Sequence, residues 1–359
     1  MDLGELGWNT DWESAFAPHR AAGLDPARVV HEDKLAYVVV GPWGDRPAAI
    51  TGRLRHRFRL DSDLPKVGDW VAVAPVPGEN KGLIQEVLPR RTRLLRKVTG
   101  RVNEAQVLVT NVDVVFVVQA MDDTFNPRRI ERFLVMVHEG GARPVVVLNK
   151  LDLCARPDSL VRTVRGLAGD ALVLPVCAKT GKGTGLLREQ LGPGITAVFV
   201  GTSGVGKSSL LNRLMGEKVE PTIEVREWDR KGRHTTAWRE IHPLPDGGLI
   251  IDTPGMRELQ LWTAEDGLDD AFPEIAALGL GCRFRDCTHA AEPDCAVRAS
   301  LEAGKLPKGR YESFQKLRKE LVVVTSARRE AERKGGGGRR PIPRFDDPSA
   351  DGGDDEGNG

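Results

Sequence analysis

Between the apolar run Ile195–Val200 and a second apolar stretch, LLNRLMG, the chain carries Gly201-Thr202-Ser203-Gly204-Val205-Gly206-Lys207-Ser208-Ser209. This is the G-x-x-x-x-G-K-[ST] loop in its strand–loop–helix context, and it commits the surrounding chain to an α/β sheet. The glycines let backbone N–H groups turn toward phosphates, and the following helix adds positive charge at its N-terminus. Lys207 is expected to bridge the β- and γ-phosphates, with Ser208 as a Mg²⁺ ligand. Across residues 99–280, Val/Ile/Leu runs (VDVVFVVQA, RPVVVLNK, ALVLPVCA, ITAVFVG, GLIID) alternate with amphipathic stretches such as RRIERFLVMVHEGG. That alternation marks a parallel sheet covered on both faces.

The phosphate loop alone does not select a base. Asn149-Lys150-Leu151-Asp152 follows the strand RPVVVLN, and the Asp152 carboxylate can accept from both N1–H and the exocyclic amine of guanine. Adenine offers no such pair, so the site predicts guanine specificity. Cys177-Ala178-Lys179, after ALVLPV, is placed to offer a backbone N–H to guanine O6, with Cys where Ser is more usual. Asp252-Thr253-Pro254-Gly255 ends GLIID: Asp252 is expected to hold Mg²⁺ through water, and the Gly255 N–H to touch the γ-phosphate. Gly232-Arg233-His234-Thr235-Thr236 lies between. Thr236, with Thr235 as the alternative, completes the Mg²⁺ ligands. Met256 stands where many GTPases carry a water-orienting Gln, so intrinsic hydrolysis is expected to be slow. His234 is the candidate replacement, packing of the loop or RNA contact being the other explanation for it.

Order is informative too. Asn149 precedes Gly201, whereas ordinary GTPases place the phosphate loop first. The same sheet is reached if the old termini are joined and a loop is opened elsewhere, so the domain reads as circularly permuted.

Upstream, residues 28–98 hold short strand-like runs separated by turn residues, which predicts a small β-barrel of OB type. Within it Arg53, Arg55, Arg57 and Arg59 alternate with Leu54, His56, Phe58 and Leu60. Read as a strand, this places four Arg on one face, either an RNA surface or a solvated face. Arg90, Arg91, Arg93, Arg96 and Lys97 form a second basic cluster. Downstream, Cys282-x4-Cys287-x-His289-x5-Cys295 has the three-thiolate, one-imidazole composition of a closed structural zinc site, reduced core cysteines being the alternative. Cys154 and Cys177 fall outside it.

Lys+Arg 52 against Asp+Glu 51 leaves a net charge of +1, so bulk charge decides nothing about nucleic acid. No apolar run reaches membrane-spanning length, and the acidic, polar start MDLGELGWNTDWESAF is unlike a signal peptide, so a cytoplasmic location is expected. The expected parts are an N-terminal extension (1–27), an RNA-binding OB barrel (28–98) and a permuted P-loop GTPase domain (99–280). A zinc-binding helical module (281–334) and a disordered Gly/Asp-rich tail (335–359) complete the chain.

With the motifs in the order NKLD, CAK, GTSGVGKSS, GRHTT, DTPG and then CRFRDCTHAAEPDC behind an OB-like barrel, the chain resembles the ribosome small-subunit-dependent GTPase A family, RsgA. The resemblance covers residues 28–325. It implies a cytoplasmic, monomeric, Mg²⁺-dependent GTPase with one structural zinc. Such a protein binds the small ribosomal subunit and its rRNA late in assembly, is stimulated by the subunit and leaves after hydrolysis. Two other readings stay open: an assembly factor in which GTP is only a ligand, and a permuted GTPase acting on the large subunit or tRNA. The zinc module and leading barrel weigh against the second.

Overall fold

The computed structural model describes residues 2–33, 36–58, 61–97, 105–216, 239–252 and 265–334. Helix α1 (Thr10–Ala21) leads into β1 (Asp25–Asp33), β2 (Ala36–Gly41), β3 (Gly44–Ile50), helix α2 (Gly52–Arg57), β4 (Trp70–Pro75) and β5 (Gly82–Val87). The strands pair in the order β1-β2-β3-β5-β4, and β4 returns to pair with β1, closing a five-stranded OB-type barrel. Closure removes the sheet edges that five short strands would otherwise expose.

The arginine stretch is the main departure from expectation. Residues 52–57 form helix α2, not a strand. The Thr51 side chain caps it by accepting from the Leu54 N–H. Ile50, Leu54 and Phe58 recur every four residues and pack on the barrel core, with Leu54 fully buried. That helical spacing prevails over the period-two alternation. Arg53 and Arg57 therefore share a helix face, Arg55 projects elsewhere, and Arg59 lies outside the described residues. Arg57 is paired with Glu86. The second basic cluster is also partly spent: Arg90 forks onto the buried Asp69 carboxylate at 2.7–3.2 Å, and Arg91 stacks over Trp12, 4.0 Å from its centroid.

Strands β6 (Arg93–Lys97) and β7 (Ala105–Thr110) pair antiparallel. The α/β domain then runs β8 (Val114–Ala120), α3 (Pro127–Glu139), β9 (Arg143–Asn149), α4 (Pro157–Arg165), β10 (Leu172–Pro175), α5 (Gly185–Arg188), β11 (Thr196–Val200), α6 (Lys207–Met215), β12 (Arg239–Pro243) and β13 (Leu249–Asp252). In space β10-β9-β8-β11-β13 are parallel and β12 is antiparallel to β13. Both faces are covered. Val114, Phe116 and Val118 of β8 pack with Leu210 and Leu214 of α6, while Val115 and Val117 pack with Ile130 and Leu134 of α3.

The N-terminal segment is built into the molecule. Trp8 meets Trp70 edge-on at 4.7 Å between centroids, and Trp12 and Phe16 are buried. Arg28 of β1, 2% exposed, donates to Thr196 Oγ1 at 2.8 Å and to the Asn111 carbonyl at 2.9 Å, as well as to the Leu6 carbonyl. Burial pulls its guanidinium down to about 10, against the opposing pull of Asp113 and Asp69.

The C-terminal module contains α7 (Glu265–Ala271), α8 (Pro273–Gly279), α9 (Ala296–Glu302) and α10 (Lys308–Lys334). It docks through buried Arg310, which lies 3.9 Å over Phe272 and ion-pairs with Glu131 of α3 at 2.8 Å and with Glu274 at 2.5 Å. Among the described residues no helix is long and apolar enough to cross a membrane. Residues 335–359 lie outside the described set.

Candidate functional site

Every parallel strand ends its run at the same edge of the sheet, and Asn149–Asp152, Cys177–Lys179, Gly201–Ser209 and Asp252 lie at or just beyond such ends. Register fixes this: Val200 of β11 lies beside Val117 of β8, and Ala120 of β8 beside Asn149 of β9. Pro175 of β10 lies beside Leu148, two residues before Cys177. Asp252 closes β13 on the other flank of β11. This is the strand edge where open α/β sheets bind ligands.

Two glycines of the phosphate loop have conformations a side chain would spoil. Gly201 has φ +147°, and a Cβ there would lie 2.4 Å from the Val118 carbonyl oxygen. Gly206, the N-cap of α6, has φ +96°, and its Cβ would lie 2.3 Å from Asn149 Nδ2. Lys207 Nζ donates to the Gly201 and Thr202 carbonyls at 2.8 and 2.9 Å. Ser208 and Ser209 are exposed in the first turn of α6, as are Ser203 and Gly204 in the loop, whereas Val205 is buried. The arrangement presents N–H groups and a helix N-terminus to an anion.

Asn149 is a clamp. Its Nδ2 donates to the Val205 carbonyl at 2.8 Å, and its Oδ1 accepts from the Ala178 N–H at 3.0 Å. One buried amide thereby ties the phosphate loop to the Cys177–Lys179 loop. Arg213, one face of α6, adds a second tie, donating to the Ala178 and Lys179 carbonyls at 3.2 and 2.9 Å. Lys150 adopts the left-handed conformation, φ +63°, and ion-pairs with Asp122 at 2.8 Å. That bond, with those from Thr124, lowers the Asp122 carboxyl to about 2. Asp122 and Arg213 were not anticipated; their roles depend on which loops the fold brings together, a feature no local spacing reports.

Asp152 is exposed at the strand end, and the buried Cys177 thiol donates to its Oδ1 at 3.1 Å. The Cys177 N–H is spent on the Lys182 carbonyl and the Ala178 N–H on Asn149. Among the described residues the Lys179 N–H is left without an acceptor, which makes it the readiest donor of the three. His234, Thr235, Thr236 and Gly255 lie outside the described residues.

The second site is in the C-terminal module. The ligand atoms of Cys282, Cys287, His289 and Cys295 all lie within 4.8 Å of one another. Cys282 Sγ and Cys295 Sγ are 3.8 Å apart, and the two sulfurs lie 3.5 and 3.6 Å from His289 Nδ1. A tetrahedral zinc with its usual bond lengths requires about 3.8 Å between sulfurs and about 3.5 Å from sulfur to nitrogen. The donor set fits zinc in chemistry and spacing. Helix α10 holds the loop from behind: Tyr311 Oη donates to the His289 carbonyl at 2.7 Å, and Arg318 to that of Cys287 at 3.2 Å. Purified protein is expected to carry one zinc per chain. Cys287→Ala should abolish that content and open residues 281–306 to protease while GTP affinity is kept, because no ligand touches the nucleotide edge. Wild-type protein devoid of zinc by metal analysis would exclude the assignment.

Comparison with known proteins agrees with this geometry. The family model described as RsgA GTPase matches residues 87–262. The chain is 45% identical over 329 residues to the "Small ribosomal subunit biogenesis GTPase RsgA" of Opitutus terrae, covering 89% of this chain and 90% of the relative. The chain belongs to the RsgA family. The protein of the same name from Streptomyces coelicolor is 42% identical over 335 residues, with 91% and 89% covered. Among solved structures, YjeQ from Thermotoga maritima matches with TM-score 0.62 and 29% identity, over 83% of this chain and 99% of that one. YloQ, described as a circularly permuted GTPase, matches with TM-score 0.60 at 24% identity, over 84% and 96%, a likeness of fold. The fold expected for the family is the one observed: a permuted GTPase domain between a closed barrel and a Cys₃His module. The chain is a GTP hydrolase of that family.

Proposed function

We propose that this protein is a Mg²⁺-dependent, cytoplasmic GTPase that binds the small ribosomal subunit and its rRNA late in maturation. Hydrolysis is stimulated by the subunit and linked to release of the factor. The observation that supports this reading most is the single sheet whose strands β9 and β11 lead into Asp152 and the phosphate loop and which continues into the closed barrel. The relatives' names supply the partner. In this reading Asp152 and the Lys179 N–H select guanine, and the 201–209 loop with Lys207 holds the phosphates. Ser208 and, through water, Asp252, joined by Thr236, would hold Mg²⁺, which would supply charge neutralisation on the transferring phosphate. Lys150 and Asn149 orient the base loop, and the Gly255 N–H meets the γ-phosphate. The chain works as a monomer.

GTP turnover measured with and without purified small subunits tests this directly: large stimulation is expected, and equal rates would reject it. The exposed pair Arg53 and Arg57 is the RNA contact of the barrel, Arg55 and Arg59 being less directly placed. Changing both to Glu should weaken subunit binding, reduce its salt dependence by about two phosphate contacts and leave GTP affinity unchanged. A binding curve matching the parent's at every salt concentration would show that these arginines are only solvated. Helix α10, with eight Lys/Arg besides the buried Arg310 against four Glu over 308–334, is a second candidate basic surface.

A further inference from the structure

The barrel and the GTPase domain share one sheet, and besides the Arg28 ties to Thr196 and Asn111 they are joined strand to strand through β1 and β12. Strand β1 belongs to the barrel through Asp25–Arg28, which pair with β4. Its register with β2 then slips between Val29 and His31. Beyond that bulge two residues stay paired with β2 while their other edge, taken by β4 earlier in the strand, pairs with β12: His31 opposite Glu240 and Glu32 opposite Arg239. On its far side β12 pairs with β13 over four positions, beginning with Glu240 opposite Asp252. His31, Glu240 and Asp252 thus form one row across three strands, from barrel to the magnesium-site Asp252. This row is one continuous backbone connection between the barrel and the nucleotide edge.

A charged chain reinforces the joint. Glu32 Oε1 accepts from Lys66 Nζ at 2.6 Å, with side chains only 9% and 4% exposed. Lys66 is anchored in turn by its own N–H, which donates to Asp69 Oδ2 at 2.8 Å, the carboxylate that Arg90 grips. The other oxygen, Glu32 Oε2, is buried without a hydrogen bond and lies 3.7 Å from an Arg239 guanidinium nitrogen. A buried carboxylate oxygen just short of a hydrogen bond to a cation gains strongly from a small approach and loses strongly from a small retreat. Arg239 is the first residue of β12, so this contact sets how firmly the strand's leading end is held to the barrel.

We infer that the Glu32–Arg239 pair, braced by Lys66, is the positioning contact that couples subunit docking on the barrel to the nucleotide state of the GTPase domain. The inference rests on the proposed ribosomal role. Coupling between two sites is reciprocal: if nucleotide is sensed through this contact, the subunit must be bound differently in the GTP and GDP states because of it. Both residues lie at the β1–β12 joint, outside the phosphate loop and the base loop, so nucleotide affinity in the absence of the subunit is expected not to depend on them.

The experiment measures the affinity of the full-length protein for purified small subunits with a non-hydrolysable GTP analogue and with GDP, and takes the ratio. Arg239→Gln breaks the pair and leaves Glu32–Lys66 intact; Arg239→Lys keeps a cation. Glu32→Gln with Lys66→Met removes both buried charges together, which avoids stranding one of them. The ratio should shrink about tenfold in Arg239→Gln and in the double variant, a typical size for intersite coupling, and survive in Arg239→Lys. Nucleotide affinity without subunits should stay at the parent's value. A ratio unchanged in Arg239→Gln overturns the inference, as does an equal fall in free nucleotide affinity, which marks a merely structural contact. A parent protein that binds no subunit, or binds it without regard to nucleotide, rejects the ribosomal reading and the coupling with it.

Discussion

Asp152→Asn is expected to lower GTP affinity by about 10²–10³-fold, since one charge-assisted hydrogen bond becomes a donor–donor clash and the other loses its charge, and to shift preference toward xanthosine triphosphate. Guanine presents two donors side by side, N1–H and the exocyclic amine, and a carboxylate accepts both. An amide there turns one acceptor into a donor that faces the amine. Xanthine carries a carbonyl in place of that amine, so the same amide matches it. The structure adds a reason for the substitution to act cleanly. The Cys177 thiol donates to Oδ1 at 3.1 Å, which an Asn oxygen can still accept, so the new NH₂ group is left pointing outward at the base. Strand β9 and the Asn149 clamp are untouched by the change. Competition of GTP and xanthosine triphosphate against a fluorescent nucleotide gives the answer: a variant that binds GTP like the parent would remove Asp152 from the base site.

The nucleotide edge was largely legible in the sequence because its parts are local. A glycine loop between a strand and a helix, and a polar tetrapeptide after a buried strand, each carry their chemistry within a few residues. The parallel sheet was legible for a related reason: strands covered on both faces, such as β8, are continuously apolar, and solvent alternation does not blur them. The barrel's arginines were misread because two periods coexist over residues 50–58. Alternation of Arg with apolar residues implied a strand, while Ile50, Leu54 and Phe58 carried the helical repeat, and burial of Leu54 with half-burial of the other two against the barrel core decided the outcome. Helix α1 had a visible signal in Trp8, Trp12 and Phe16, four residues apart, that composition hid among acidic neighbours. The ties made by Asn149, Arg213 and Arg90 had none. Each spans between 21 and 56 residues of chain, and only the completed sheet brings the partners together.

The group that orients the attacking water is the other place where one side chain should matter greatly. Met256 follows Asp252-Thr253-Pro254-Gly255, and a thioether neither donates to water nor accepts strongly from it, so this position supplies no orientation. His234 is the nearby candidate by chain connectivity: it precedes Arg239, the first residue of β12, by five positions, and β12 lies directly against Asp252. Five residues span at most about 17 Å, a tether long enough to let His234 approach the nucleotide edge. An imidazole near neutral pH can accept a proton from water or hold it by hydrogen bond, which a Met cannot do. His234→Ala should cut the subunit-stimulated kcat by about 10²-fold, the usual scale for a positioned base or water-orienting group. GTP affinity does not involve the attacking water, and if His234 orients that water only in the subunit-bound arrangement, the slow intrinsic rate should also change little. Single-turnover hydrolysis with and without small subunits separates the cases. Equal losses in both rates would make His234 structural, and an unchanged stimulated rate would place the orienting group on the ribosome or on another residue.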